Sequence, residues 1–361
     1  KAADNGMLLS GSNNRLERMV FNDNQDTGLQ LSRYKTSAAT IADWPSNNLI
    51  LNCTSKNNCD NATMENADGF AAKLTCGEGN VFDGCMSYNN SDDGWDLFAK
   101  SETGPIGVVT IQNCVAFRNG YTEFGEGYGK CDGNGFKLGG SGVGSAHVVK
   151  NCLAFENLNC GFTDNNNPKL DSLTNCTAYN NGVGSNDKPM QLLSLKDDGA
   201  DFSNLISYYS KENLTGNLGV SGLKITNDKM VGTIQNTIYY NSGYYQVGAK
   251  TAISNGDKLG TKGAAISDDD FILVTAPEMG TDFDTAWRNS NGSINTHGCK
   301  QVKEYSSLDS ILGAAFQDID TPQPPITTTT TSATTATTSL HPQELQLLCH
   351  LLLYIPLFPT I

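Results

Sequence analysis

The segment Asn113-Cys114-Val115-Ala116-Phe117 decides the fold, because near copies of it recur along the chain. The other copies share the central cysteine and the short run around it: Asn52-Cys53-Thr54-Ser55, Gly84-Cys85-Met86-Ser87-Tyr88, Asn151-Cys152-Leu153-Ala154-Phe155 and Asn175-Cys176-Thr177-Ala178-Tyr179. Taken in order, the five cysteines lie 32, 29, 38 and 24 residues apart. A constant unit with variable insertions at this period is the signature of a solenoid.

Within each copy the residues alternate with a period of two, as Cys114 and Ala116 do, which is typical of a strand with one face buried. An asparagine follows each cysteine by five residues, giving Asn58, Asn90, Asn119, Asn157 and Asn181. Stacking such strands about 4.8 Å apart would join these asparagines in a ladder. The sequence therefore predicts an all-β fold, a parallel β-helix. The cysteines are expected to pack as small apolar residues, with disulfides or metal ligation as the alternatives.

The composition of the 361 residues supports this fold and limits the partners. Hydrophobic residues make up 38% of the chain and there are 37 glycines, which favours short strands joined by many turns. The formal net charge of −14 argues against nucleic acid, because phosphate binding needs clustered lysine and arginine. An acidic protein acting on an acidic polymer would need a cation between the two.

Three segments are predicted along the chain. Residues 1–320 form the β-helix domain, in which the repeat weakens from about 243 to 317 and closing coils with a cap are expected. Residues 321–339 are rich in threonine and proline and predict an extended linker. Residues 340–361 form an apolar tail, either the remnant of an appended module or unstructured. The tail is too short to span a bilayer, so no membrane attachment is expected.

A second repeated column carries the candidate chemistry. Its members align a glycine and a large apolar residue: Thr27-Gly28-Leu29-Gln30, Asp68-Gly69-Phe70-Ala71, Asp93-Gly94-Trp95-Asp96, Asn134-Gly135-Phe136-Lys137 and Cys160-Gly161-Phe162-Thr163. If the large apolar residues point inward, the residue after each points outward. Asp96 and Lys137 are then neighbours on the solvent face of adjacent coils.

Four carboxylates are expected to crowd together beside this column, from Asp92, Asp93, Asp96 and, on the preceding coil, Asp68. Like charges this close repel unless a hard cation with six to eight oxygen ligands offsets the repulsion. Calcium suits such ligands better than zinc, since the cluster contributes neither histidine nor thiolate. The alternative is a solvated acidic turn, because aspartate and glycine are ordinary turn residues.

Lys137 is the candidate base, since its glycine neighbours leave space for a polymer and a nearby dication would lower the pKa of its amine. Lys73 is a candidate for binding substrate carboxylates, being outward by alternation from Phe70, with a merely solvated lysine as the alternative. Arg118, beside Phe117, is a further candidate of the same kind.

These motifs resemble polysaccharide lyase family 9, whose typical members are pectate lyases. The resemblance covers roughly residues 8 to 317. It is carried by three segments: Asp68-Gly69-Phe70-Ala71-Ala72-Lys73, Asn89-Asn90-Ser91-Asp92-Asp93-Gly94-Trp95-Asp96-Leu97-Phe98 and Gly133-Asn134-Gly135-Phe136-Lys137-Leu138-Gly139-Gly140.

The resemblance implies a right-handed parallel β-helix, with earlier coils that the chain lacks before Leu8. It also implies a primary calcium ion held by Asp68, Asp92, Asp93 and Asp96, with Lys137 as the base. The implied reaction is calcium-assisted β-elimination of polygalacturonate, in which Lys137 abstracts the C5 proton. The implied partner is polygalacturonate or pectin, so we expect a secreted, extracellular monomer.

Two other functions stay open at this stage. A pectin hydrolase of the same architecture would use paired carboxylates and water. The β-helical hydrolases carry a catalytic Gly-His-Gly, whereas none of the four histidines, His147, His297, His341 and His350, has that setting. A non-catalytic β-helix that binds cell-wall polysaccharide is the second alternative.

Overall fold

The computed structural model describes residues 2–121, 131–182, 190–192, 200–209, 223–225, 233–235, 238–241, 268–272, 286–298, 301–303 and 312–320. The predicted linker, 321–339, and the predicted tail, 340–361, lie outside these ranges. Short 3-10 helices cover Ile41–Asp43, Asp268–Asp270 and Thr296–Gly298. Among the described residues, no helix is both long enough and apolar enough to cross a bilayer.

Within the described ranges the strands form three sheets of eight strands each. Neighbouring strands of a sheet are parallel and come from successive coils of the chain. The first sheet contains Met7–Leu9, Leu29–Leu31, Phe70–Ala72, Trp95–Asp96, Phe136–Lys137, Phe162–Thr163, Met190–Leu192 and Leu223–Ile225. The second sheet contains Arg15–Glu17, Leu49–Leu51, Asn80–Asp83, Val109–Gln112, Val148–Lys150, Ser172–Thr174, Asp201–Ser203 and Thr233–Gln235. The third sheet contains Val20–Asn22, Thr54–Lys56, Met86–Tyr88, Val115–Phe117, Leu153–Phe155, Thr177–Tyr179, Ile206–Tyr209 and Ile238–Asn241. This arrangement is a parallel β-helix, and the predicted fold class is confirmed.

The interior is built from stacked columns of like residues. On the first sheet Phe70, Trp95, Phe136 and Phe162 point inward, with ring centroids 5.0, 4.7 and 4.8 Å apart in succession. The cysteines of the repeat form another inward column and are fully buried: Cys53, Cys85, Cys114, Cys152 and Cys176. None of these five forms a disulfide, as expected for small residues that fill space beside larger rings.

The predicted asparagine ladder is present at the turn that leaves the third sheet. In five successive pairs the side-chain amide of one asparagine donates to the side-chain oxygen of the asparagine on the next coil, with Nδ2 to Oδ1 distances of 2.8 to 2.9 Å. The members are Asn24, Asn58, Asn90, Asn119, Asn157 and Asn181. Buried amides are costly unless they are bonded, so the ladder fixes the turn on every coil in the same conformation.

The outer face of the third sheet is also buried, where the sequence predicted strands with one buried face. Its aromatic residues stack along the axis, with Tyr88, Phe117 and Phe155 at centroid separations of 4.7 and 4.9 Å. Trp287 packs against this stack, and Arg288 donates hydrogen bonds to the backbone oxygens of two coils. The described residues between 268 and 320 thus lie along the flank of the solenoid and add no strand to its three sheets.

Candidate functional site

The register of the first sheet brings the candidate site together. Trp95 pairs with Phe136 and Asp96 pairs with Lys137, so the acid and the amine lie side by side on neighbouring strands. Asp96 pairs on its other side with Ala71, which leaves room around the carboxylate. The alignment predicted from the repeated column is therefore the observed register.

Glycine just before each inward ring sets the position of the acids. A Cβ at Gly94 would lie 2.5 Å from the backbone oxygen of Gly135, closer than any real contact of this kind. Only glycine lets the two coils approach at this point. A Cβ at Gly69 would likewise lie 2.8 Å from the backbone oxygen of Gly94. Asp93 therefore lies beside Asp68 on the coil before it, and the Asp93 N–H donates to Asp68 Oδ1 at 3.2 Å.

The four predicted metal ligands are neighbours, and we call them the carboxylate nest: Asp68, Asp92, Asp93 and Asp96. Asp92 adjoins the other three through Asp93. All four are buried, and Asp68 and Asp93 have no exposed surface at all. Oxygen atoms of Asp68, Asp93 and Asp96 lie within 4.8 Å of one another. The alternative of a solvated acidic turn does not describe carboxylates that are removed from water.

Backbone donors hold the nest but leave part of it without hydrogen bonds. The N–H groups of Asn66 and Asp132 donate to the two oxygens of Asp92 at 2.8 and 2.7 Å. Asp93 Oδ1 accepts from the backbone and side chain of Asn134. Asp93 Oδ2 and Asp96 Oδ1 are buried and accept no well-directed hydrogen bond from any described residue, although Lys137 lies near both.

Lys137 lies inside this cluster of charges. Its Nζ is 3.0 Å from Asp93 Oδ2, 3.9 Å from Asp96 Oδ1 and 2.7 Å from Asp132 Oδ2. The ring of Phe98 covers one side, with its centroid 5.6 Å from Nζ, and the residue is only 8% exposed. The sequence predicted an open lysine beside the nest, and the structure places a buried one there.

Lys73 occupies the other end of the nest. Its Nζ lies 2.6 Å from Asp68 Oδ2 and 3.3 Å from Asp96 Oδ2. The residue is 8% exposed, so it is not the solvated lysine considered from the sequence. Its contacts are with the predicted metal ligands.

Burial and charge act in opposite directions on both amines. For Lys137, burial lowers the pKa, but Asp93, Asp96 and Asp132 raise it more, and the net shift is upward. The same balance, with Asp68 as the main partner, raises the pKa of Lys73. In these surroundings both lysines are ammonium ions.

The carboxyls show the reverse competition. Burial raises the pKa of Asp93 well above its ordinary value, and the ammonium group of Lys137 opposes the shift. Burial also raises the pKa of Asp92, again against Lys137. Burial is the first cause of both shifts, and the ammonium group of Lys137 offsets only part of it.

Asp132 is a site residue that the sequence analysis missed. It lies five residues before Lys137, and its side chain is 58% exposed. The same spacing separates Asp68 from Lys73, which is the only sequence signal that could have found it. Asp132 also forms a second group of close carboxylate oxygens with Asp92 and Asp93.

Arg118 lies elsewhere. It follows the third-sheet strand Val115–Phe117, and its Nε is 3.2 Å from Glu156 Oε2 on the next coil. The structure therefore places Arg118 at the end of a third-sheet strand and not in the Lys137 column of the first sheet.

The nest fits a hard divalent cation. Its donors are carboxylate oxygens, with no histidine or cysteine from the described residues among them. Two buried oxygens accept no well-directed hydrogen bond, and among the residues that the structure describes two ammonium groups, those of Lys73 and Lys137, lie against five carboxylates, counting Asp132. Calcium accepts six to eight such oxygens in flexible geometry, so these residues could hold it.

Comparisons with known proteins agree on one family. The family model for the Pel9A-like right-handed β-helix region matches residues 1–213. Pectate lyase L of Paenibacillus polymyxa is 45% identical over 282 residues, which cover 78% of this chain and 56% of that protein. Pectate lyase L of Thermoclostridium stercorarium is 52% identical over 180 residues, 50% of this chain and 14% of that protein.

The fold has a counterpart among solved structures. The crystal structure of pectate lyase Pel9A superimposes with a TM-score of 0.56 at 25% identity, covering 87% of this chain and 68% of that one. The chain spans about half the length of the Paenibacillus relative and a smaller share of the Thermoclostridium one.

Proposed function

Because the chain belongs to the Pel9A-like right-handed β-helix family, we propose that it is a pectate lyase that cleaves α-1,4-linked polygalacturonate by calcium-assisted β-elimination. One observation carries this proposal. Adjacent first-sheet strands bring Lys137 Nζ to within 3.0 Å of Asp93 and 3.9 Å of Asp96, inside a nest of buried carboxylates. An amine and a cation site within reach of one sugar ring are what proton abstraction next to a carboxylate requires.

Asp68, Asp92, Asp93 and Asp96 are the residues that would hold calcium. When bound, the ion would draw charge from the C6 carboxylate of a galacturonate unit and so increase the acidity of the C5 proton. It would also offset the repulsion between an acidic protein and a polyanion, since the net charge is −14.

Lys137 is the proposed base. Its Nζ takes the C5 proton, the C5–H electron pair becomes the C4=C5 double bond, and the C4–O bond breaks. The departing oxygen takes a proton from solvent, and the other fragment carries a 4,5-unsaturated galacturonate end. Gly140 lets the ring of Phe98 approach, since a Cβ there would lie 2.1 Å from that ring, and Phe98 in turn covers one side of Lys137.

The charge environment sets the pH dependence of this step. The base must be a neutral amine, whereas the carboxylates around Lys137 hold it as ammonium. Asp93 and Asp96 lie next to Lys137 and are also proposed metal ligands. A bound cation would compensate their negative charge, so they would stabilise the ammonium form of Lys137 less. Activity is therefore expected to rise toward alkaline pH and to require the cation.

Ultraviolet absorbance tests the proposal, because the conjugated unsaturated uronate absorbs and a hydrolysis product does not. Polygalacturonate is digested with and without chelator by the natural protein, by Lys137→Ala and by Lys150→Ala, an exposed lysine of the second sheet. We expect absorbance to rise only with calcium present, and only for the natural protein and Lys150→Ala. Cleavage without new absorbance would make the protein a hydrolase, and binding without cleavage a polysaccharide-binding protein.

The proposal extends to an extracellular, monomeric protein, supported by the polymeric nature of the substrate. Fractionation of the source culture and sizing in solution test these two points.

Arg118 stays a predicted substrate contact, which an Arg118→Ala variant tests through KM.

A further inference from the structure

Lys73 and Lys137 are equally buried, but the carboxylates that they contact differ in exposure. Its Nζ contacts Asp68 at 2.6 Å and Asp96 at 3.3 Å, and its side chain is 10% exposed. Lys137 differs, because one of its three partners is Asp132, whose side chain is 58% exposed. Both carboxylates that Lys73 contacts are thus buried members of the nest, so its charge is already compensated inside the site.

Asp68 depends on this ammonium group. The carboxylate has no exposed surface. Lys73 and Thr27 donate to its Oδ2, and among the described residues its Oδ1 accepts from the Asp93 backbone N–H alone. A buried carboxylate that loses its cation is an uncompensated charge in a medium of low dielectric constant. Without Lys73, Asp68 would either take up a proton or repel Asp93 and Asp96, whose oxygen atoms lie within 4.8 Å of its own.

We propose that Lys73 is the built-in counter-ion of the carboxylate nest, which keeps Asp68 and Asp96 together when no metal is bound and competes with the metal for them. The inference rests on the proposed function, because it takes the nest to be the calcium site. It assigns Lys73 to the metal ligands and not to substrate binding.

Two consequences follow from this competition. Without Lys73 the metal-free protein is destabilised, while the calcium-bound protein is destabilised much less, because the dication supplies the missing charge. By the thermodynamic cycle that joins folding and binding, the variant must then bind calcium more tightly than the natural protein.

The experiment measures calcium binding by calorimetry and the melting temperature in EGTA and in calcium. It compares the natural protein, Lys73→Met and Lys150→Met, which removes the same charge far from the nest. For Lys73→Met we expect a melting temperature about 5–10 °C lower in EGTA, most of it restored by calcium. Its calcium Kd should be at least about tenfold lower, and Lys150→Met should match the natural protein.

The outcomes separate the inference from the proposed function. If the natural protein binds no calcium, the proposed function fails. If it binds calcium but Lys73→Met has the same Kd and melting temperatures, or binds more weakly, the counter-ion role is overturned. An increase in KM for polygalacturonate as the sole change would also overturn it, in favour of substrate binding.

A second variant covers the case in which Lys73→Met does not fold in EGTA. Asp68→Asn/Lys73→Met removes Lys73 together with its nearest partner, so Asp68 is not left as an uncompensated charge, and Asp96 keeps Lys137 at 3.9 Å. We expect the double variant to fold in EGTA and to melt above Lys73→Met. A double variant that melts no higher than the single one would overturn the proposal.

Discussion

The outer faces of the first and third sheets share one backbone arrangement and carry opposite chemistry. Both are parallel ladders in which equivalent residues of successive coils stack. On the third sheet Tyr88, Phe117 and Phe155 form a continuous aromatic column. On the first sheet the outward column changes at each coil, and Asp96 lies between Ala71 and Lys137.

The contrast shows what stacking permits. Aromatic rings stack favourably on one another at the spacing between coils, so each repeat adds a stabilising contact to the column. Carboxylates at that spacing repel, so an acidic column needs cations among its members. Later parts of the same chain cover the aromatic column of the third sheet. On the first sheet, lysines and, as proposed, a metal compensate the negative charge of the acids.

The largest effect is expected from Lys137→Ala on the first sheet. Loss of the base should lower kcat for polygalacturonate about 10²–10⁴-fold, measured by absorbance in calcium. Calcium binding should persist, since all four carboxylates remain. A variant that kept more than a tenth of the natural kcat would show that Lys137 is not the base.

Phe117→Ala tests the other face of the comparison. The ring lies between Tyr88 and Phe155 and against Trp287, so its removal should lower the free energy of unfolding by about 3–5 kcal/mol. Denaturant titration measures the loss. Activity well below the transition should stay within twofold of normal, and a specific loss of kcat would show that the two faces are coupled.

Asn119→Ala breaks the ladder in the turn between these two sheets. Asn90 loses the acceptor of its amide and Asn157 loses a donor, which should lower the free energy of unfolding by about 2–3 kcal/mol. Asn61→Ala, at an exposed asparagine outside the ladder whose amide oxygen receives a weak 3.5 Å contact from Cys59 Sγ, is the control and should change little. Equal losses of unfolding free energy in the two variants would show that the ladder has no special role in stability.

The smallest effect is expected from the protonation of His147, which lies in the interior behind both faces. It is fully buried, its Nδ1 accepts from the N–H of Val109, and burial lowers its pKa to about 3. Between pH 3 and 6.5 the unfolded chain therefore binds more protons at this residue than the native protein, so stability falls as the pH falls. The loss should reach about 2 kcal/mol at pH 5 relative to neutral pH.

Unfolding measured against pH checks this expectation. His147→Gln should flatten the acid side of the profile, while His297→Gln, at an exposed histidine, should leave it unchanged. An acid side that persists in His147→Gln would assign the pH dependence to other groups.

The sequence alone determined the periodic features. The cysteine and asparagine columns, the register of Asp96 with Lys137 and the meeting of four carboxylates follow from repeats whose members must stack. Alternation with a period of two and a nearly fixed backbone unit are local properties, so they can be read from the residues without knowledge of distant contacts.

Only the tertiary structure decided how these columns are covered and paired. Trp287 reaches Phe117 from 170 positions away in the chain, and no repeat predicts that contact. The burial of Lys137, its pairing with Asp132 and the placement of Lys73 against Asp68 likewise depend on how loops of different length return to the sheet. Periodicity fixes which residues stack, whereas burial and charge pairing are set by long-range contacts that the period does not encode.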